Sequence, residues 1–241
     1  LINVKESGKC SVCTSIVSNK EQTIVGWNLD ILNMPYRISA SAERVTIDIS
    51  DPKEGWMPLF GANARGDFVS MPTCWPFDAR SDPPSENCRN IIRLNMDLLS
   101  GKRTFEEIRD IAQRESIYSI PGTTFQAQLS NCRGDVLQIV PGQGIQYKVR
   151  PEYSLMTNFS PFKGNREKHP WMGWDRYERV KAILENCETT FGVLECFEAL
   201  KAASQEECPT VVSMVFEPEA NMVYWCENRN WDEMYCQELK S

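Results

Sequence analysis

The chain has 241 residues, 41% of them hydrophobic and 24% charged, and carries a net charge of −7. That length buries a full core without staples and fits one domain. Its Lys and Arg are spread out with no basic run, which argues against a nucleic-acid partner or an anionic membrane surface, and no apolar run approaches the roughly 20 residues of a membrane helix.

The opening residues "LINVKESGK" lack an apolar h-region and do not read as a signal peptide. A start without Met fits a segment already lost upstream. "CTSIV" and "TIVGWNL" follow, both rich in β-branched residues with the polar "SNKEQ" between them, and predict a hairpin. "YRISASAERVTIDIS" alternates, with Val45, Ile47 and Ile49 on one face, and predicts one or two further strands. "MPLFGANARGDFVSMP" reads as strand, tight turn, strand, punctuated by Gly61 and Gly66.

The prolines of "CWPFDARSDPPSEN" make it a loop. Ile91, Leu94 and Leu98 then share a helix face that Gly101 closes. Thr104 to Glu107 forms a capping-box pattern before a second helix with Phe105, Ile108 and Ile111 or Ala112 as its stripe. Strand signals return at "TTFQAQLS", "DVLQIV", "IQYKV" and "YSLMTNF". Two more helices carry Tyr177, Val180, Ile183 and Leu184, then Val193, Phe197 and Leu200. "TVVSMVFEPEANMVYWCEN" closes as two strands. Strands grouped with strands and helices with helices argue for antiparallel sheets with helices outside, an α+β chain.

Ten cysteines leave two readings open, disulfides in an oxidising compartment or buried thiols. Their number leans toward an extracytoplasmic or secreted setting. Cys10 and Cys13 form a Cys-x-x-Cys pair, but no second pair completes a zinc site. A β-branched strand, rather than a helix, follows it, against a thioredoxin-like site. The chain's one histidine, His169, sits in the polar "EKHPW", so a Ser-His-Asp triad or a Cys-His pair has only that residue to use. A cysteine works without histidine when its own α-amino group is the base, which requires it to be the first residue of a mature chain. Cys13, at a strand start beside a strand bearing Asp30, suits that chemistry.

"CTSIV" followed by "GWNLD" resembles the opening of the cysteine N-terminal-nucleophile amidohydrolases, the choloylglycine hydrolase, penicillin V acylase and acid ceramidase group. "GANARG", "LMTNFSPF", "WDRYERVKAIL" and "VVSMVFEPEANMVYW" resemble further segments of the same family in the same order, so the resemblance runs from about Cys13 to Trp225. It implies a four-layer αββα sandwich of two antiparallel sheets, with Leu1–Val12 as a leader and residues 13–241 as one domain. Cys13 matches the nucleophile, Asp30 the carboxylate that holds its amine, Asn158 an oxyanion donor and Arg176 an arginine near the thiol, with Arg179 its rival. Thr73 falls near a second oxyanion position, and Asn28 lies beside Asp30's strand motif. Trp27 departs from the pattern, standing where the family carries an active-site arginine, a change that loses charge and hydrogen bonds.

The activity implied is hydrolysis of a linear non-peptide C–N amide, fatty-acyl or bile-acid-like, through a thioester after self-cleavage before Cys13. An acyltransferase of the same mechanism and an inactive binding protein on the same fold are the alternatives. The partner implied is a small-molecule acyl amide, with no cofactor, no metal, no nucleic acid and no membrane span; a homo-oligomer stays open. Trp27, Trp75, Phe77, Phe159 and Phe162 fall near the site segments, where they would line an acyl pocket or pack the core. A Cys10–Cys13 disulfide would keep the nucleophile oxidised and the leader in place. "NFS" at Asn158 is also a glycosylation sequon, which burial in a site would silence.

Overall fold

The computed structural model describes residues 10–75, 87–162, 172–187 and 190–240. Most of the proline-rich loop, Phe77 and His169 lie outside them, so the expectations placed there have no structural counterpart.

The predicted hairpin forms β1 (Cys10–Ser18) and β2 (Ile24–Leu32), with Cys13 opposite Leu29 and Ser15 opposite Trp27. The strands β3 (Tyr36–Ala40), β4 (Arg44–Asp51), β5 (Gly55–Asn63) and β6 (Phe68–Ser70) follow as a meander. Gly66 makes the turn between β5 and β6 with φ of 84°. Gly61 does not: it lies inside β5 with φ of 133°, where a Cβ would run into the Val45 backbone carbonyl. A short parallel pair, β7 (Cys88–Asn90) and β8 (Ser116–Tyr118), brackets the helices α1 (Ile91–Leu99) and α2 (Phe105–Arg114). The capping box at Thr104 and Glu107 is present at the start of α2.

The strands β9 (Ala127–Ser130), β10 (Val136–Val140), β11 (Gly144–Lys148) and β12 (Tyr153–Met156) come next. The helices α3 (Trp174–Asn186) and α4 (Val193–Ala202) precede β13 (Thr210–Glu217), β14 (Met222–Glu227) and β15 (Tyr235–Glu238). One six-stranded sheet runs β12-β1-β2-β13-β14-β15, and a seven-stranded sheet runs β11-β10-β9-β6-β5-β4-β3. All pairings within both are antiparallel. The helices α3 and α4 pack on the six-stranded sheet, and α1 and α2 on the seven-stranded one. This is a four-layer αββα sandwich, as the sequence implies.

Strand alternation sorts the side chains into two cores. Cys13, Val17, Val25, Trp27, Leu29 and Ile31 enter the core shared with the seven-stranded sheet. Ile16 and Ile24 turn the other way, onto Val180, Leu184, Phe197 and Leu200 of α3 and α4. Gly26 lets α4 come close, since a Cβ there would meet the Cys196 Sγ at 2.5 Å. Polar residues interrupt the space between the sheets beside Cys13. Ser15 and Ser70 share a hydrogen bond of 2.6 Å, and Gln128 donates to Ser15 at 2.8 Å. Gln138 and Ser154 both donate to Gln128 Oε1 at 2.8 Å. A buried network of this kind fixes register, because slipping β1 by one residue would strand every partner.

Candidate active site

Cys13 lies in β1 where that strand, the segment after β6 and the segment after β12 converge. It is fully buried and its sulfur is a thiol. The Cys10–Cys13 disulfide expected as a latency device is therefore not formed. Cys208 is disulfide-bonded, whereas Cys74, Cys88, Cys132, Cys187, Cys196, Cys226 and Cys236 are thiols.

The Cys13 backbone N–H donates to Asn158 Oδ1 at 2.9 Å. Asn158 follows β12 and is fully buried, so its sequon is closed to glycosylation. Its amide orientation is dictated by its partners. Oδ1 accepts from Cys13 and from Arg176 Nη2 at 2.8 Å, and Nδ2 donates to the Thr73 carbonyl at 2.8 Å and to Thr73 Oγ1 at 3.0 Å. Thr73 and Asn158 are thus joined directly, beside the backbone of Cys13.

Arg176 sits in the first turn of α3 with its side chain 1% exposed. Its Nη1 donates to the Cys13 carbonyl at 2.8 Å and to Thr14 Oγ1 at 2.9 Å. Arg179, the rival, is half exposed and pairs with Asp175 at 3.0 Å across one helical turn. Gly173, at φ of 70°, makes room for the buried guanidinium: a Cβ there would strike Arg176 Nη2.

Asp30 stands opposite Val12 in the β1–β2 register and is fully buried. Its Oδ2 lies 3.8 Å from Arg176 Nη1. Thr210 Oγ1 donates to Oδ1 at 2.7 Å, and Gln205 Nε2 donates to Oδ2 at 2.6 Å. Burial raises the Asp30 pKa to about 6, against the opposing pull of Arg176, Thr210 and Gln205. Burial also lowers the Arg176 pKa, opposed chiefly by the charge of Asp30. Both shifts say that desolvation outweighs the pairing, as expected for an ion pair deep in a core.

Four predicted residues therefore meet in one network: Cys13, Asp30, Asn158 and Arg176, with Thr73 at its edge. Trp27 shares Cys13's core and stacks obliquely on Phe60, ring centroids 5.3 Å apart. It is fully buried, and its indole N–H has no acceptor among the described residues. Asn28 points to the helix side, donating to the Leu200 carbonyl at 2.7 Å and accepting from Ser213 at 2.7 Å. It ties β2 to α4 and β13 rather than joining the Cys13 network. Phe159 stacks on Trp174 at 4.0 Å with Tyr177 edge-on, and Trp75 bridges to Phe159. Phe162 is 37% exposed. Sequence reasoning missed Gln205, Thr210 and Gly173, none of which belongs to a recognisable local pattern.

No family model matches the chain, and no curated protein matches it in sequence. Solved structures do. A conjugated bile acid hydrolase from Clostridium perfringens superposes with a TM-score of 0.65 at 13% identity, over 94% of this chain and 92% of that one. The chain has the N-terminal-nucleophile hydrolase fold. Penicillin V acylase from Agrobacterium tumefaciens shares this fold with a TM-score of 0.60 and 14% identity, over 89% of this chain and 83% of that one. A Caenorhabditis elegans ortholog of N-acylethanolamine-hydrolyzing acid amidase shares it with a TM-score of 0.55 and 18% identity, over 86% and 93%.

Proposed function

We propose that the chain is an amidohydrolase for linear, non-peptide C–N amides, with Cys13 as its nucleophile once the Val12–Cys13 bond is cut. The observation that carries this reading is the double grip on Cys13. Asn158 holds its N–H and Arg176 its carbonyl, with Asp30 buried behind them. On this fold, that is where an N-terminal nucleophile would stand. Neighbours named for bile-acid conjugates, penicillin V and N-acylethanolamines suggest an N-acyl amide with a fatty-acyl or bile-acid-like group.

While Val12 is attached, the Cys13 nitrogen is an amide and no base. The same thiol would first attack the Val12 carbonyl. The peptide C–N bond breaks as a thioester forms, and water then releases a chain beginning at Cys13. The new α-amine then takes the thiol proton, and the thiolate attacks the substrate carbonyl. Asn158 Nδ2, on giving up its bond to Thr73 Oγ1, and the Thr73 hydroxyl so released would stabilise the oxyanion. Collapse expels the substrate amine, which carries away the proton, and leaves an acyl thioester on Cys13. Water hydrolyses it; another amine would instead make the reaction an acyl transfer.

One observation favours a second reading, a binding protein without turnover: a buried indole at Trp27 in the place of the family's arginine. Cys13→Ala and iodoacetamide decide between the two. The amidase reading requires that the variant be inactive on a chromogenic acyl amide and that labelling of Cys13 abolish activity. An active Cys13→Ala protein would overturn it, and a wild type inert in every condition would leave the binding reading standing.

A further inference from the structure

We infer that Gln205 and Thr210, which the sequence motifs do not single out, are positioning residues for the Cys13 site: they fix the Asp30 carboxylate, and Asp30 in turn keeps Arg176 on the Cys13 carbonyl and on Asn158. The inference rests on Cys13 being the nucleophile.

The hydrogen bonds divide the work. Arg176 spends its Nη donors on Cys13, Thr14 and Asn158, and it faces Asp30 at 3.8 Å, the distance of an ion pair rather than of a hydrogen bond. The short bonds to the carboxylate come instead from the segment between α4 and β13. Thr210 takes one oxygen at 2.7 Å and Gln205 the other at 2.6 Å. That segment is built around the carboxylate. Thr210 Oγ1 also accepts the Gln205 N–H at 3.0 Å, and the Thr210 N–H donates back to the Gln205 carbonyl at 3.2 Å. The Ile31 N–H donates to the Pro209 carbonyl at 3.1 Å.

A bulge between Thr210 and Val212 shifts the β13–β2 register so that Thr210 falls opposite Asp30. Bulges commonly re-aim a side chain in this way. Cys208, in the same turn, is disulfide-bonded, and its Sγ lies 3.5 Å from the Asp30 carbonyl oxygen. The charged group facing Asp30 is Arg176, from α3; the two groups from the α4–β13 side are neutral donors. Without those donors the fully buried carboxylate would favour its protonated form, and the attraction that holds Arg176 would vanish.

The test uses the full chain as wild type, Thr210→Val, Thr210→Ser and Gln205→Met. It follows the pH dependence of Cys13 alkylation by iodoacetamide and of acyl-amide hydrolysis. Removing either donor should move the acid limb of both profiles up by about one pH unit, the size of one lost hydrogen bond to a charged acceptor. Thr210→Ser, which keeps the hydroxyl, should restore the wild-type profile. A folded Thr210→Val protein with the wild-type profile overturns the inference, and so does a Thr210→Ser variant shifted as far as the valine. Should the valine variant fail to fold, Gln205→Met carries the same comparison. If wild-type Cys13 neither reacts nor turns over at any pH, the functional reading itself fails and takes the inference with it. A reactive wild type with unshifted variants sinks the inference alone.

Discussion

Replacing Asp30 with Asn should flatten the pH dependence of stability. The folded Asp30 pKa stands near 6 against 3.8 for an ordinary aspartate. The native state therefore binds more protons than the unfolded state between those values. Stability falls as pH rises through that window, because the unfolded chain gives up its proton more readily. At 1.36 kcal/mol per unit, a shift of about two units costs the wild type about 3 kcal/mol at neutral pH relative to strong acid. Most of that is expressed between about pH 4.0 and 7.5, since only the part below the acid end, where an ordinary aspartate is already about half ionised, is lost. Asparagine carries no such term. Urea unfolding of wild type and Asp30→Asn at the two pH values gives a double difference in which the other carboxylates cancel. A double difference of about 2–3 kcal/mol, with the wild type gaining more on acidification, is expected. Parallel curves would mean that Asp30 ionises as an ordinary surface carboxylate does, and the account of a desolvated pair with Arg176 would fail.

Asn158→Ala removes the acceptor of the Cys13 N–H and the donor proposed for the oxyanion. Its kcat should fall by about 10²–10³ with KM little changed; a change confined to KM would displace Asn158 from the chemical step. Gly173→Ala places a Cβ against Arg176 Nη2 at a left-handed backbone position. Strain of about 1–2 kcal/mol should lower Tm by roughly 2–8 °C, seen by differential scanning calorimetry. Alkylation of Cys13 should slow in the same variant, because Arg176 must move; an unchanged Tm would show that the helix start relaxes without cost.

The parts of the fold legible in the sequence are those whose local preferences agree with the tertiary structure. The β-branched runs of β1 and β2 and the Thr104 capping box behave as the local rules dictate. The strands β7 and β8 have only three residues each and pair in parallel across two helices, so no local pattern announces them. The strand β15 is mostly exposed and carries no apolar alternation. Gly61 reads as a turn residue because glycine usually is one, yet its role is the close approach of β4.

The site divides the same way. Cys13, Asp30, Asn158 and Arg176 stand in motifs whose order along the chain is informative; hydrogen bonds spanning up to 163 positions join Cys13, Asn158 and Arg176, and an ion pair adds Asp30. Spacing alone does not separate Arg176 from Arg179; the structure buries the first inside the network and leaves the second half exposed on Asp175. Thr210 falls opposite Asp30 at a bulge in β13 and Gln205 reaches it from the segment before that strand, and neither arrangement leaves much trace in a sequence. Trp27 shows the limit of motif matching. The motif names the position, but only the fold shows an indole buried against Phe60.

In the proposed reaction Cys13, as the first residue of a processed chain, carries the acyl group. Intact mass and peptide mapping after brief exposure to a chromogenic acyl amide, quenched in acid, test it directly. The expected product is a chain beginning at Cys13, with one acyl group in hydroxylamine-sensitive linkage on that residue. Turnover by a chain that still holds the Val12–Cys13 bond, or an acyl group found on another cysteine, would contradict it.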